Sequence, residues 1–314
     1  MSESQKNVNN ERVPSVLIAG GSGLIGRYLT STLMGEGYTV SHLSRQTNGF
    51  GKVRVFRWDP AKGYLNPRVF EGIDYLVNLS GANIGEKRWT RRRKEEILNS
   101  RVVSTELLFK TIEGNGINLK AYISASAAGY YGSVTSDKIF SEDDAPGVDF
   151  LGSTCRLWEE GADQFAGPGI RTVKIRTAVV MEKNDSALSR LMAPARFGLV
   201  TRLGSGKQYF PWIHIYDLCN IYLKAIMDEN IHGAYNAVAP QHINHNDFVG
   251  TMAAVMKRPV FLPPVPSPIL RLFLGEMSDI VLKGSRISSD KIVKAGFKFR
   301  FDRLDEALKN AIQG

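Results

Sequence analysis

Only two cysteines, Cys155 and Cys219, stand in 314 residues, too few for a disulfide framework or a cysteine-type metal site. That scarcity points to a reducing, cytoplasmic compartment and to no metal. No apolar run reaches the ~20 residues that a membrane helix needs. The nearest candidate, 261–282, is broken by four prolines, Arg271, Glu276 and Asp279. Residues 1–12 lack the apolar core of a secretory leader and read as a disordered tail. Internal repeats, low-complexity segments and an aromatic platform for stacking bases are missing too. Acid is in deficit, with 31 Asp and Glu against 40 Lys and Arg and a net charge of +9. An excess of that kind attracts an anionic small ligand as readily as a polyanion. The one dense basic cluster, Lys87-Arg88 and Arg91-Arg92-Arg93-Lys94, runs straight into Glu95 and Glu96, so it reads as a solvated helix face. The expected partner is a small-molecule substrate, with no nucleic acid and no membrane. A homodimer is left open.

What is present is organised around Val16-Leu17-Ile18-Ala19-Gly20-Gly21-Ser22-Gly23-Leu24-Ile25-Gly26. A short apolar run of this kind fills an inner parallel strand. The glycines then turn the chain into a helical pattern beginning near Tyr28. Such a strand–turn–helix brings backbone close to a pyrophosphate and aims a helix N-terminus at it. Gly20 makes the tight turn, Gly23 leaves room for phosphate oxygens, and Gly26 lets helix and strand pack closely. Ser22, Leu24 and Ile25 complete the candidate phosphate site.

Strand-like runs follow at 39–43, 53–57, 75–79, 121–124 and 173–180, separated by helical patterns at about 90–112 and 154–165. The alternation predicts an α/β fold, a Rossmann-type doubly wound parallel sheet. A proline-rich break near Phe261 precedes fifty largely helical residues. The expected division is therefore a Rossmann domain at 13–240 and a smaller, mostly helical lobe at 241–314.

Ligands of such sheets lie at the carboxyl ends of the strands, so the residues just past each strand are the candidates. Where an NAD site carries an acid for the ribose hydroxyls, this chain has Ser44 and Arg45. A hydroxyl and a guanidinium suit a 2′-phosphate, so the expected cofactor is NADP. Asp59 is placed either to accept from the adenine amino group or to serve as a turn residue before Pro60, and Leu79, Ser80 and Gly81 to pass beneath the ribose and pyrophosphate. Ser124 and Ser126, with Tyr130 and Tyr131 close behind, form a hydroxyl cluster where carbonyl chemistry could occur. Arg88 and Trp89 offer a cation and an aromatic face to a substrate, although Trp89 is equally suited to packing.

The spacing Gly-x-x-Gly-x-x-Gly resembles the extended, epimerase-like branch of the short-chain dehydrogenase/reductase superfamily. The further stretches Asn78–Ile84, Arg88-Trp89, Ser100-Arg101, Ser124–Gly132, Trp158-Glu159, Gly204–Gln208, Trp212-Ile213-His214, Tyr235–Pro240, Gly275-Glu276-Met277 and Gly296-Phe297 look like its atypical epimerase-family group. The resemblance spans about Val16 to Ile312. It implies a Rossmann lobe, a small helical lobe and NADP, with Ser126 holding a substrate oxygen and Gln208, Trp212 and His214 near the substrate pocket; the alternative for the lone His214 is a structural role, bonding Asp217 or backbone. It also exposes a departure. The branch works with a Tyr-x-x-x-Lys pair, and those positions fall here on Leu151 and Cys155. Its supporting asparagine becomes Arg101, suited to a cofactor phosphate or a substrate anion. Tyr130 or Tyr131 is left to supply a phenol, the alternative for both being a buried packing role. The implied function is an NADP-dependent oxidoreductase or nucleoside-diphosphate-sugar epimerase acting on a small substrate. The alternative is a non-catalytic NADP-binding redox sensor.

Overall fold

In a computed structural model, which describes residues 12–46, 51, 53–184 and 186–313, Val16, Leu17 and Ile18 are wholly excluded from solvent. They form the middle of β1 (Ser15–Ala19). The chain continues through α1 (Leu24–Gly35), β2 (Thr39–Ser44), β3 (Arg54–Asp59), β4 (Tyr64–Leu65), β5 (Tyr75–Asn78) and α2 (Arg91–Gly114). Next come β6 (Ala121–Ala127), β7 (Ile139–Phe140), α3 (Phe150–Asp163), β8 (Arg171–Thr177), β9 (Val179–Met181) and α4 (Ala187–Arg196). β10 (Trp212–His214), α5 (Ile215–Met227), β11 (Gly233–Ala237) and α6 (His245–Met256) lead into the last part of the chain. It ends in α7 (Ser267–Leu274), α8 (Asp279–Leu282), β12 (Arg286–Ile287), α9 (Asp290–Lys294) and α10 (Leu304–Gln313).

The main sheet has the order β11-β8-β6-β5-β1-β2-β3-β4. Every pairing in it is parallel except that of the short β4 with β3. The order reverses between β5 and β1, and at such a switch point the loops diverge and leave a crevice for a ligand. Apolar side chains alternate across the sheet into two cores. One, with Ile18, Val77 and Ile175, packs under α1 and α5; the other, with Leu17, Leu76 and Tyr122, packs under α2 and α3. This is the α/β Rossmann architecture that the alternation of strands and helices predicts.

Two expectations need correction. The run 173–180 is not one strand: it ends at Thr177, and β9 leaves the main sheet to pair with β10. The division at 240 also cuts through a core. Met181, Leu188, Met192 and Trp212 pack with Phe248, Met252, Leu304 and Leu308, so the second lobe recruits β9, α4 and β10 from before the boundary. Of the expected tail, 1–11 lie outside the described residues, whereas Arg12 donates to Asp74 at 2.8 Å.

Candidate functional site: a glycine cradle at the switch point

Gly20 sits at φ +81°, and a Cβ there would lie 2.9 Å from the Leu79 carbonyl carbon. The β5 loop is tied against it, since the Leu79 amide donates to the Ala19 carbonyl at 2.8 Å. Gly26 is pressed as closely, its would-be Cβ falling 2.5 Å from the Gly21 carbonyl oxygen. Gly23 differs: in extended backbone (φ −72°, ψ 175°), its Cβ would meet only the Gly20 carbonyl oxygen, at 3.3 Å. Gly23 is also the N-cap of α1, where no side chain caps the helix and no acid lies in the first turn. The first amides of a helix have no partner within it and carry its positive dipole end. Ser22, Leu24 and Ile25 therefore surround an uncapped helix start beside open space, which fits a pyrophosphate.

The strand ends beside this cradle carry the other candidates. Ser44 closes β2, its Oγ accepting from the Gln46 amide at 3.2 Å, and Arg45 beyond it is exposed. Asp59 closes β3 half-buried, its carboxylate leaving the following 3-10 turn uncapped. Ser80 is turned inward, donating to Asn78 and bonding Ser104 Oγ at 3.0 Å. Leu79 and Gly81 offer backbone alone.

Arg101 lies under this loop. Its guanidinium donates to the Ile97 carbonyl at 2.9 Å and the Ala82 carbonyl at 3.1 Å, and sits 5.0 Å from the Trp158 ring centroid. No carboxylate pairs with it among the described residues, and burial lowers its pKa. Gly81 makes room for it, since a Cβ there would fall 3.1 Å from the guanidinium carbon.

The hydroxyl cluster is not assembled as expected. Ser124 is 1% exposed and donates to the Ala125 carbonyl, so its hydroxyl is engaged within the sheet and not held out towards the crevice as expected of a cofactor contact. Ser126 is 3% exposed and donates to Glu159 Oε1 at 2.6 Å. Glu159 in turn receives Arg176 Nε and Nη2, both at 2.9 Å. Arg176 Nη1 reaches Tyr131 Oη at 3.0 Å, and Tyr131 donates to Asn236 Oδ1 at 2.6 Å. Ser126 thus belongs to a buried strut joining β6, α3, β8 and β11, and its expected hold on a substrate oxygen is corrected. The role of Glu159 is not legible in the Trp158-Glu159 stretch, and Arg176 is not among the candidates by sequence. An inward arginine within a strand was the available signal.

Tyr130 remains half-buried beyond β6, its ring 3.4 Å from the Arg176 guanidinium carbon. Burial raises its pKa despite that cation. At the Tyr-x-x-x-Lys positions, Leu151 cannot move a proton, and burial pushes the Cys155 thiol up to about 12.

Arg88 and Trp89 come together with the second lobe. Trp89 donates its indole N–H to the Ile84 carbonyl at 2.9 Å and meets Phe150 edge-on, with centroids 5.0 Å apart. These two rings, with Arg91, Lys94, Glu95, Leu98 and Glu276, line a cavity of about 350 Å³. Glu276 pairs with Lys94 across the lobes, and Arg88 packs against Gly275. Lys94 and Phe150 are not candidates by sequence, where Arg88-Trp89 and the Gly275-Glu276-Met277 stretch point to this edge.

Of the other three substrate candidates, Trp212 and Gln208 are corrected, and His214 takes its structural alternative. Trp212 is fully buried, and its indole donates to the Gln241 carbonyl at 3.2 Å. His214 caps α5, Nδ1 accepting from the Tyr216 amide at 3.2 Å, with the Phe301 ring 3.9 Å away. Gln208 is a buried strut whose Nε2 donates to the Leu203 carbonyl at 3.1 Å and the Val281 carbonyl at 2.7 Å. All three are held inside the second lobe.

Strand order and glycine cradle together define a dinucleotide-binding Rossmann protein, and comparison with known proteins narrows the class. Residues 16–150 match the NAD dependent epimerase/dehydratase family, and residues 265–311 match a domain of unknown function (DUF1731). The chain is 34% identical to the epimerase family protein MT2273 of Mycobacterium tuberculosis over 93% of its own length and 96% of that protein. It is 33% identical to the human epimerase family protein SDR39U1 over 95% of this chain and 99% of that one. A crystal structure of human SDR39U1 (isoform2) with NADPH is similar at a TM-score of 0.84 and 32% identity, covering 95% of this chain and 99% of that chain. The chain belongs to the NAD dependent epimerase/dehydratase family. Among the described residues, no helix is long and apolar enough to cross a membrane, and no cluster of His, Cys, Asp or Glu could hold a metal ion.

Proposed function

We propose that this chain binds NADP and carries out oxidoreduction or epimerisation on a small, anionic substrate. The observation that carries the reading is the uncapped start of α1 at Gly23, where a Cβ would meet only the Gly20 carbonyl oxygen. Exposed Arg45 next to Ser44 supplies a cation for the 2′-phosphate, and the NADPH in the human relative's structure supports the same choice. NADP, when bound, supplies a hydride acceptor, or in its reduced form a donor. The chain's own residues do the rest. Arg101 is a fixed, desolvated cation beneath the β5 loop, and Arg88 is exposed against the second lobe; together they favour a substrate bearing carboxylate or phosphate. A phenol with a raised pKa is protonated at neutral pH, so Tyr130 would act as proton donor rather than base. The partner in this reading is a small molecule and not a nucleic acid, and the two buried free cysteines suit the cytoplasm.

One observation favours a second reading, an NADP-binding sensor without turnover: Leu151 and Cys155 stand where a proton relay would be. Fluorescence titration with NADPH and NADH, followed by a screen of nucleotide sugars and small carbonyl acids, separates the two. NADPH should bind roughly tenfold or more tightly than NADH, about 1.4 kcal/mol. Equal affinity refutes the 2′-phosphate assignment. Tight NADPH binding without turnover on any compound moves the conclusion to the sensor.

A further inference from the structure

The helix α7 buries none of its eight residues. Ile269, Leu272 and Phe273, at i, i+3 and i+4, share one helical face and are 45%, 71% and 72% exposed. A stripe with that spacing normally faces a core; here it faces solvent. The segment leading to it carries Phe261, 67% exposed, and the neighbouring loop carries Phe197, 84% exposed. The two segments run side by side: Thr201 Oγ1 donates to the Pro263 carbonyl at 2.7 Å, and the Val265 amide to the Arg202 carbonyl at 2.8 Å.

Cations outnumber acids on the segments that build this face, which carry no aspartate or glutamate between Asp185 and Asp217 or between Asp247 and Glu276. Arg196, Arg202, Lys257, Arg258 and Arg271 are all exposed there, and none forms an ion pair among the described residues. Protruding phenylalanine and leucine on segments that also carry unpaired cations match an anionic lipid surface, where apolar side chains enter the headgroup boundary and each cation adds attraction. A second copy of the chain fits poorly. A two-fold contact sets each patch against itself, which would juxtapose these like charges.

We propose that this face of the second lobe docks the protein peripherally on an anionic phospholipid bilayer. The contact departs from the expectation of no membrane partner, which rested on the missing span alone. It does not depend on the cofactor reading.

The test is flotation of the full chain with vesicles of phosphatidylcholine alone and of phosphatidylcholine with about 30% phosphatidylglycerol. Binding should need the anionic lipid and be released by about 0.5 M salt. The double variant Leu272→Glu/Phe273→Glu should bind at least tenfold more weakly, with its melting temperature and NADPH affinity unchanged because both side chains are exposed. Arg196→Glu/Arg258→Glu should weaken low-salt binding similarly. Met227→Glu, at an exposed apolar residue on α5, serves as control and should bind as the parent does. Failure to float with the anionic vesicles overturns the proposal, as does equal loss in the Met227 variant. A dimer in solution that Leu272→Glu/Phe273→Glu converts to monomer also overturns it, by giving the face to a second copy.

Discussion

The glycine cradle can be split into a part that folds and a part that binds. At Gly23, a valine can adopt the native backbone (φ −72°), and its Cβ meets only one oxygen, at 3.3 Å. The stability cost is that of a poor N-cap, about 1 kcal/mol, or roughly 2–4 °C in melting temperature. The branched methyl groups nonetheless occupy the space in front of the α1 amides. NADPH affinity should fall at least 100-fold, about 2.7 kcal/mol. At Gly26 the balance reverses. Alanine would gain about 1 kcal/mol in helix propensity over glycine. Its Cβ would, however, stand 2.5 Å from the Gly21 carbonyl oxygen, and no rotamer change relieves a clash with backbone. Overpacking of this kind costs about 1–3 kcal/mol, so Gly26→Ala should be the less stable protein. Melting curves and NADPH titrations on both variants form the assay. Normal NADPH binding by Gly23→Val would show that the turn is not the phosphate site. A Gly26→Ala variant more stable than the parent would refute the packing argument.

Arg45→Ala should erase most of the preference for NADPH over NADH, a loss of about 1.4 kcal/mol by titration calorimetry, while Ser126→Ala should leave affinity for both unchanged. Glu159→Gln strips the charge partner from Arg176 inside a pair whose side chains are 4% and 6% exposed, which should cost about 3–5 kcal/mol. Glu159→Leu/Arg176→Met should recover more than half of that in denaturant melts, and no recovery would refute the uncompensated-charge explanation. Burial lowers the pKa of both His214 and His245 from 6.5 to about 4. Folded values below unfolded ones mean that this stability is complete above pH 6.5 and is lost as pH falls towards 4, by at most about 3 kcal/mol per histidine. His214→Asn keeps an N-cap for α5 and removes the titrating ring, so the fall in melting temperature between pH 6.5 and 4 should become shallower; an unchanged slope would contradict the assignment.

What the sequence made legible was local or periodic. The β1–turn–α1 unit is read from eleven consecutive residues, because the turn's geometry depends on the glycines themselves. Ser44 and Arg45 follow from their distance to that turn. The misplaced residues depend on where remote chain comes to rest. Ser126 stands at the expected strand end, yet its hydroxyl is claimed by Glu159, 33 residues away. Trp212, His214 and Gln208 look like pocket residues in one dimension, and α6, α8 and α10 then close over them. The stripe on α7 shows the same limit from the other side. The spacing of Ile269, Leu272 and Phe273 states that a helix has an apolar face. It carries no information on what meets that face, and a core, a lipid surface and a second protein all ask for the same period. The absence of acid over 248–275 favours an anionic surface over a core, because a lobe core is indifferent to the charge around its rim and an anionic surface is not.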